Sequence, residues 1–187
     1  MNKTFSRMTI LTFITGHFLL SCKRDDDKPQ KPQLPSNDME VITTMTLTFT
    51  DISGMQPLTT ATFRDPDGDG GNPPTEFDTI FLQHNTTYNT SIVLLDETKI
   101  PADTISNEVF DESADHLFCF TTSGTDIEIV RTDTDGIYEV GLQSEWAVGL
   151  AGNGTVQVTL RHQPGIKDGT CAPGETDVEV SFKTVIQ

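Results

Sequence analysis

The sequence predicts an all-β fold, a single antiparallel β-sandwich of immunoglobulin-like architecture. Several segments alternate apolar and polar residues with a period of two, which is the pattern of strands that bury one face. Turn-forming Gly, Pro, Asn and Asp residues separate those segments at intervals of roughly 8–14 residues, as they do in sandwiches. Threonine, a β-branched residue that suits a half-solvated strand face, occurs 29 times in 187 residues.

Three segments have the clearest strand pattern. Val41–Thr50 places Met45, Leu47 and Phe49 on one face and a Thr-rich row on the other. Thr155–Arg161 and Asp177–Lys183 repeat the alternation further along the chain. The residues predicted to face inward in these two strands are Val156, Val158, Leu160, Val178, Val180 and Phe182.

Weaker alternation predicts the remaining elements. The six further strands are Leu58–Arg64, Phe77–Gln83, Tyr88–Leu95, His116–Thr122, Asp126–Thr132 and Tyr138–Leu142. Only Ala102–Asp115 has a helical pattern, and only for a turn or two. Trp146, the only tryptophan, is predicted to pack in the core between the sheets, and a carbohydrate-stacking platform is the alternative.

The first 21 residues are organised like a secretory signal peptide. Met1–Arg7 carries two basic residues and no acidic one, and the apolar run Met8–Leu20 that follows has 13 residues. A bilayer-spanning helix needs about 20 apolar residues, so this run is typical of a cleaved export signal instead. The predicted boundaries are residues 1–21 for the signal peptide, 22–38 for a lipidated tether and 39–187 for the sandwich.

The end of the signal peptide, Leu19-Leu20-Ser21-Cys22, resembles a bacterial lipobox. An aliphatic residue stands three positions before Cys22, and a small residue stands directly before it. The resemblance implies that Cys22 becomes the first residue of the mature protein and carries acyl chains. Each buried CH₂ contributes about 0.8 kcal/mol, so two or three chains anchor a protein stably. The membrane is therefore a predicted partner through Cys22, and an ordinary signal peptide with a chance cysteine is the alternative.

The tether contains an acidic run, Asp25–Asp27, which two residues separate from Cys22. It resembles the export signal of Bacteroidota surface lipoproteins, in which an acidic cluster near the lipidated Cys directs the protein to the outer face of the outer membrane. The resemblance implies exposure on the cell exterior, and a periplasm-facing position is the alternative. Lys28–Asp38 contains three Pro and two Gln, a composition that predicts a disordered, semi-extended tether.

The predicted domain is strongly acidic. Residues 39–187 contain six basic and 24 acidic residues, a formal charge of −18. Because nucleic-acid binding requires a basic surface, the sequence predicts no nucleic-acid partner. The same charge keeps the domain soluble and away from an anionic bilayer surface.

An acidic loop rich in Gly and Pro fits D-x-D-x-D-G-x₅-E, the spacing of a 12-residue calcium loop. Its predicted ligands are Asp65, Asp67 and Asp69, whose carboxylates converge on one point, with Glu76 as the last ligand. Calcium is accordingly a predicted cofactor, in a structural role. Strands rather than helices flank the loop, so Glu76 is less well placed than the aspartates, and an acidic hairpin loop without an ion is the alternative.

Two cysteines remain once Cys22 is lipidated. Cys119 and Cys171 form an even pair in an exported domain, and such a pair permits a disulfide. The bond would close a loop of about 52 residues, which the chain-entropy estimate values at roughly 4 kcal/mol. One buried and one exposed free thiol is the alternative, and the spacing alone leaves both open.

The histidines of the predicted domain form no metal-binding motif. His84, His116 and His162 are widely spaced, without an H-x-H or H-E-x-x-H pattern, so each is predicted to be a surface or capping residue. The period of two places His116 on the face of Phe118 and Phe120, where a backbone carbonyl can accept its ring N–H. No catalytic residue is predicted, because 24 acidic residues are too many to single out a catalytic pair.

Six segments carry a wider resemblance: Glu40–Thr44, Asp65–Pro74, Asn85–Tyr88, Glu108–His116, Leu160–Gly165 and Gly174–Val180. Together they are similar to a family of small Bacteroidota outer-membrane lipoproteins of unknown function. The resemblance implies the location and the single β domain, and no activity. The sequence therefore predicts a non-enzymatic binding or accessory module that acts through loops on a rigid sandwich. A periplasm-facing accessory protein and a hydrolase with an unrecognised site are the alternatives.

Overall fold

The computed structural model describes residues 40–68 and 70–187, which form two packed β-sheets and one short helix. The predicted signal peptide, Cys22 and the whole tether lie outside the described residues. The elements are β1 (Thr44–Asp51), β2 (Thr59–Arg64), β3 (Glu76–Phe77), β4 (Ile80–Leu82), β5 (Thr86–Leu95), α1 (Ile105–Asp111), β6 (His116–Ser123), β7 (Ile127–Arg131), β8 (Gln143–Val148), β9 (Gly152–His162) and β10 (Glu175–Ile186). The predicted all-β sandwich is confirmed. No helix in the described part of the chain is both long and apolar enough to cross a membrane.

One sheet has six strands in the order β3-β2-β1-β5-β8-β7, and the other has four in the order β4-β10-β9-β6. Neighbouring strands are antiparallel, except that β4 runs parallel to β10. In the smaller sheet, the end of β9 therefore lies between the start of β6 and the start of β10. This arrangement brings residues from three distant parts of the chain to one end of the sandwich.

Two predicted strands differ from the structure. Phe77–Gln83 was predicted as one strand but divides into β3 and β4, which belong to different sheets. The break falls at Asp78, whose backbone N–H donates to the Thr62 carbonyl and whose carboxylate accepts the Thr62 N–H. The predicted strand Tyr138–Leu142 is part of the connection from β7 to β8 and contacts both sheets, since its carbonyls accept N–H groups first from β6 and then from β5. The strand itself, β8, begins just after it.

Aromatic side chains join the two sheets at the centre of the core. Trp146 of β8 is fully buried, as predicted for a core tryptophan. Its ring packs edge-to-face against Phe49 of β1, with centroids 5.1 Å apart, and against Phe120 of β6, with centroids 5.9 Å apart. The indole N–H donates to the Ser144 hydroxyl at 2.9 Å. The polar atom is therefore satisfied, and the large ring fills the space between the sheets.

The structure joins Cys119 and Cys171 in a disulfide, with Cα atoms 6.0 Å apart. Cys119 lies in β6, at the edge of the four-stranded sheet, and Cys171 lies in the connection between β9 and β10. The bond fastens the loop that precedes β10 to the edge of the sheet. Of the two arrangements that the sequence left open, the structure contains the bonded one.

Replacing both residues, Cys119→Ala with Cys171→Ala, is expected to lower the free energy of unfolding by about 4 kcal/mol, because the bond closes a long loop in the unfolded chain. Urea denaturation of the purified full chain measures the effect. The double variant should denature at the same urea concentration as the reduced wild-type protein. An oxidised wild-type protein that is no more resistant than either of them would contradict the disulfide.

Candidate functional site

One end of the sandwich contains a group of buried ionisable side chains. His116 begins β6, His162 ends β9, and Asp177 lies near the start of β10. His116 and His162 stand directly opposite each other in the antiparallel register. Both histidines are buried, with exposed fractions of 0% and 5%. The core therefore ends in two imidazoles rather than in apolar side chains.

His162 and His116 are inward because they continue the apolar rows of their strands. Val156, Val158 and Leu160 face the core from β9, and His162 is the next residue in the same phase. The prediction of a surface or capping residue is wrong for His162 and correct for His84, which is exposed and contacts the Gln187 carbonyl at 2.9 Å.

A β-bulge turns Asp177 towards the interior. The register of β10 on β9 shifts between Thr176 and Val178, so Asp177 is the extra residue. The predicted alternation of Asp177–Lys183 puts Asp177 on the solvent face, yet its side chain is 0% exposed. Bulges redirect single side chains and occur beside functional sites. The simple period of two is therefore wrong at this one position.

The orientation of the His116 ring is fixed by the end of α1. Its Nδ1 atom lies 3.1 Å from the carbonyl oxygen of Glu112, the residue that follows the helix. A carbonyl oxygen only accepts, so Nδ1 carries the proton and Nε2 presents its lone pair. This carbonyl bond was predicted, but a surface position was wrong for His116, because its ring is fully buried. One face of the ring stacks on the ring of His162, with centroids 4.8 Å apart and planes 7° from parallel.

Nε2 of His116 points towards Asp177. The distance from Nε2 to Oδ2 is 3.7 Å, which is longer than a hydrogen bond. Among the described residues, neither this nitrogen nor the two oxygens of Asp177 makes a hydrogen bond of regular geometry. No described Lys or Arg lies within salt-bridge distance of Asp177 either. The Glu40 backbone amide approaches Asp177 closely enough to lower its pKa, but the contact lacks regular hydrogen-bond geometry.

Burial dominates the electrostatics of this group. It raises the pKa of Asp177 to about 6, against the lowering influence of His162 and of the Glu40 backbone amide. It also lowers the pKa of His116. The pKa of Glu40 is raised by burial and then by the nearby carboxylates of Glu108 and Asp177. The surroundings therefore disfavour the charged form of each group in the absence of a compensating cation.

An acidic cavity of about 440 Å³ adjoins the cluster. It is bounded by the residues before β1, the end of β2 and the start of β10. Four carboxylates and three apolar side chains contribute to its wall: Glu40, Asp65, Asp177, Glu179, Ile42, Phe63 and Val178. Asp177 belongs to both the lining of the cavity and the buried cluster, so the two adjoin each other.

The chain before β10 is held close to His162. Gln163 is fully buried, and its amide nitrogen donates to the carbonyls of Thr170 and Pro173 at 2.9 and 3.0 Å. Gly174 has φ of +82°, and a Cβ at this position would clash with the His162 carbonyl oxygen. Only glycine fits both the conformation and the close approach. These contacts set the position of the bulge beside the histidines.

The predicted calcium ligands are not brought together as a three-ligand group in the described part of the chain. Asp65 is buried at the cavity, and Glu76 is exposed on β3. Asp67 accepts hydrogen bonds from the Asn72 backbone and side-chain amides at 2.8 and 2.7 Å, and these bonds lower its pKa. Asp69 lies outside the described residues. Calcium binding by this loop stays a prediction.

A buried ion pair braces the segment between α1 and β6. The Lys167 ammonium donates to the Asp135 carboxylate and to the Ser113 carbonyl, both at 2.8 Å. The two charged side chains are only 3% and 5% exposed. Burial by itself raises the pKa of Asp135, but Lys167 and the backbone amides of Tyr138 and Ile137 outweigh it and lower the pKa to about 2. The pair holds the loop that leads into His116.

Comparison with known proteins gave no match to any family model, to any curated protein or to any solved structure.

If the acidic loop binds calcium, adding the ion after removal with EDTA is expected to raise the melting temperature. A concentration about 100-fold above Kd contributes about 2.7 kcal/mol, which is several degrees for a domain of this size. Asp67→Ala should abolish the rise, while Asp111→Ala, which removes the same charge from an exposed position on α1, should retain it. An unchanged melting temperature in the wild-type protein would leave the loop an acidic hairpin.

Lys167→Met is expected to destabilise the protein by about 3–5 kcal/mol at pH 7, because it leaves the negative charge of the buried Asp135 carboxylate without a counter-ion. The double variant Asp135→Asn with Lys167→Met should be destabilised less. The folded pKa of Asp135 is below the unfolded value of about 3.9, so the contribution of the pair is present above about pH 4 and is lost as the pH falls towards 2. Urea denaturation between pH 7 and pH 2 measures the free energy of unfolding of both proteins. The difference in this free energy between wild type and Lys167→Met should shrink as the pH falls, and a constant difference contradicts the prediction.

Proposed function

We propose that this chain is a lipid-anchored protein of the outer membrane, exposed on the outer face of the cell, and that its sandwich is a binding module rather than an enzyme. The location is supported by the lipobox that ends at Cys22 and by the acidic run Asp25–Asp27. Two or three acyl chains on one cysteine give stable anchoring. The binding function is carried by a single observation, the acidic cavity at the end of the sandwich.

The cavity has the size and the charge of a site for a small cationic ligand. Its volume of about 440 Å³ is within the range of roughly 300–1,000 Å³ that is typical of ligand sites. Four carboxylates line it, in a domain whose formal charge is −18. A concave wall of one sign concentrates the opposite charge, so cations are the ligands that this surface favours. The apolar side chains of Ile42, Phe63 and Val178 give the cavity a defined shape.

The polar groups that line the cavity are mainly carboxylates. Both cysteines of the described residues are in the disulfide, so neither offers a thiolate nucleophile. The wall of the cavity consists of carboxylates and apolar groups, with Thr176 as its hydroxyl. A rigid sandwich that presents such a wall at one end is suited to hold a ligand.

Cys22→Ala is expected to abolish the incorporation of radiolabelled palmitate and to release the chain from the membrane fraction, because the thiol at this position carries the acyl chains. Changing Asp25, Asp26 and Asp27 together to Asn is expected to leave the label in place and to protect the chain from protease added to intact cells. Labelling followed by protease treatment of intact cells measures both effects.

Asp38→Asn, which removes an acidic residue from the far end of the tether, serves as the matched control and should remain accessible to protease. A periplasmic marker must stay intact in the same cells. Complete protection of the wild-type chain would mean that it faces the periplasm, and unlabelled wild-type protein would contradict the anchor itself.

A further inference from the structure

We infer that His116, His162 and Asp177 bind a first-row transition-metal ion, with zinc as the best fit, beside the acidic cavity. The inference deepens the proposed binding function by naming the ligand, and it rests on that function in taking the cavity as the route of entry. It does not depend on the lipid anchor or on the side of the membrane that the chain faces.

The distances suit a single ion. Each of the three side chains offers one ligand atom, and these atoms all lie within 4.8 Å of one another. The distance between His116 Nε2 and Asp177 Oδ2 is 3.7 Å. Bonds from zinc to nitrogen and oxygen are about 2.0–2.2 Å long, so two ligands of one ion stand roughly 3.3–3.8 Å apart. The pair is too far apart for a hydrogen bond and correctly spaced to share a metal.

The buried atoms of His116 and Asp177 that lack hydrogen bonds are suited to bind a cation. His116 Nε2 and both oxygens of Asp177 lack regular hydrogen bonds among the described residues, and both side chains are fully buried. Native proteins rarely bury such groups without a partner, and each exception requires an explanation. An ion bound between the carboxylate and the imidazole supplies a partner to the nitrogen and to the acid at once. It also compensates the burial that disfavours charge on Asp177.

The surroundings of His116 match those of a metal ligand. A histidine that binds a metal through one ring nitrogen usually donates the other N–H to a carbonyl or carboxylate, which fixes the ring. Nδ1 of His116 donates in this way to the Glu112 carbonyl, so Nε2 is the free ligand atom. The bulge that turns Asp177 inward completes the set from the neighbouring strand. The ligands thus come from three strands, and the His162 ring, which stacks 7° from parallel to that of His116, turns about its side-chain bonds to direct a nitrogen at the shared ion.

The donor set selects the class of metal. Calcium and magnesium take oxygen ligands, whereas two imidazoles with one carboxylate suit zinc and the other later divalent ions of the first row. Glu40 is the candidate fourth ligand, because it forms a second group with Glu112 and His116 whose ligand atoms also lie within 4.8 Å of one another. With Glu40 bound, the ion would tie the segment that enters β1 to the opposite sheet.

The test is a metal titration of the full chain, purified in detergent and stripped with EDTA. Isothermal titration calorimetry with Zn²⁺ is expected to give one ion per chain, and Co²⁺ is expected to give the visible absorption bands of a four-coordinate site with nitrogen ligands. His162→Gln and Asp177→Asn should each weaken Zn²⁺ binding at least tenfold and abolish the Co²⁺ bands. Two matched controls, His84→Gln at the surface and Asp111→Asn at the exposed end of α1, should bind as the wild type does.

The wild-type protein keeps the proposal testable if a variant fails to fold. Its melting temperature should rise by several degrees with Zn²⁺, and this rise should persist when Ca²⁺ and Mg²⁺ are already present in excess, because neither ion competes for imidazole ligands. Zinc binding that is equally strong in His162→Gln and Asp177→Asn would overturn the inference, as would wild-type protein that binds neither Zn²⁺ nor Co²⁺. Palmitate labelling and protease access are measured separately, so a failed titration leaves the proposed location standing, and a failed anchor leaves the metal site standing.

Discussion

The alternation of side chains along the strands, which buries one face of each sheet, is the constraint on which the rest of this structure depends. In β6 and β9 the inward positions continue beyond the apolar residues, and the same alternation carries His116 and His162 into the interior. A core that ends in imidazoles must provide partners for their nitrogens. The end of α1 provides one for Nδ1 of His116, whereas the bulge in β10 brings the carboxylate of Asp177 to 3.7 Å from Nε2, which is too far for a hydrogen bond.

Contacts of several kinds then hold this end of the sandwich in place. The disulfide fastens the β9–β10 connection to β6, and the Lys167–Asp135 pair holds the loop before His116. Gln163 binds the same connection from inside. A site that must place ligand atoms to within about 0.5 Å requires such support from its neighbours. These cross-links are concentrated at the end of the sandwich that contains His116, His162 and Asp177.

Sequence patterns predicted the sandwich, most strands and the buried Trp146, because these follow from local periodicity and side-chain size. They also contained a signal for the histidines, since His162 continues the phase of Leu160 as His116 does that of Phe118. Asp177 could not be found in this way, because a bulge inverts the phase at one residue and depends on the partner strand. The split of Phe77–Gln83 likewise depends on a contact with Thr62, which is distant in sequence.

Charge and ligand type have separate roles in the proposed site. The carboxylates of the domain give a formal charge of −18, and such a field concentrates every cation near the surface, calcium and magnesium included. It cannot by itself distinguish one divalent ion from another. Discrimination requires ligand atoms of a particular kind in a confined space, and the two imidazoles supply them. In the proposed site, the acidic wall of the cavity attracts cations to this end of the domain. The two buried histidines then select zinc and the other later divalent ions of the first row.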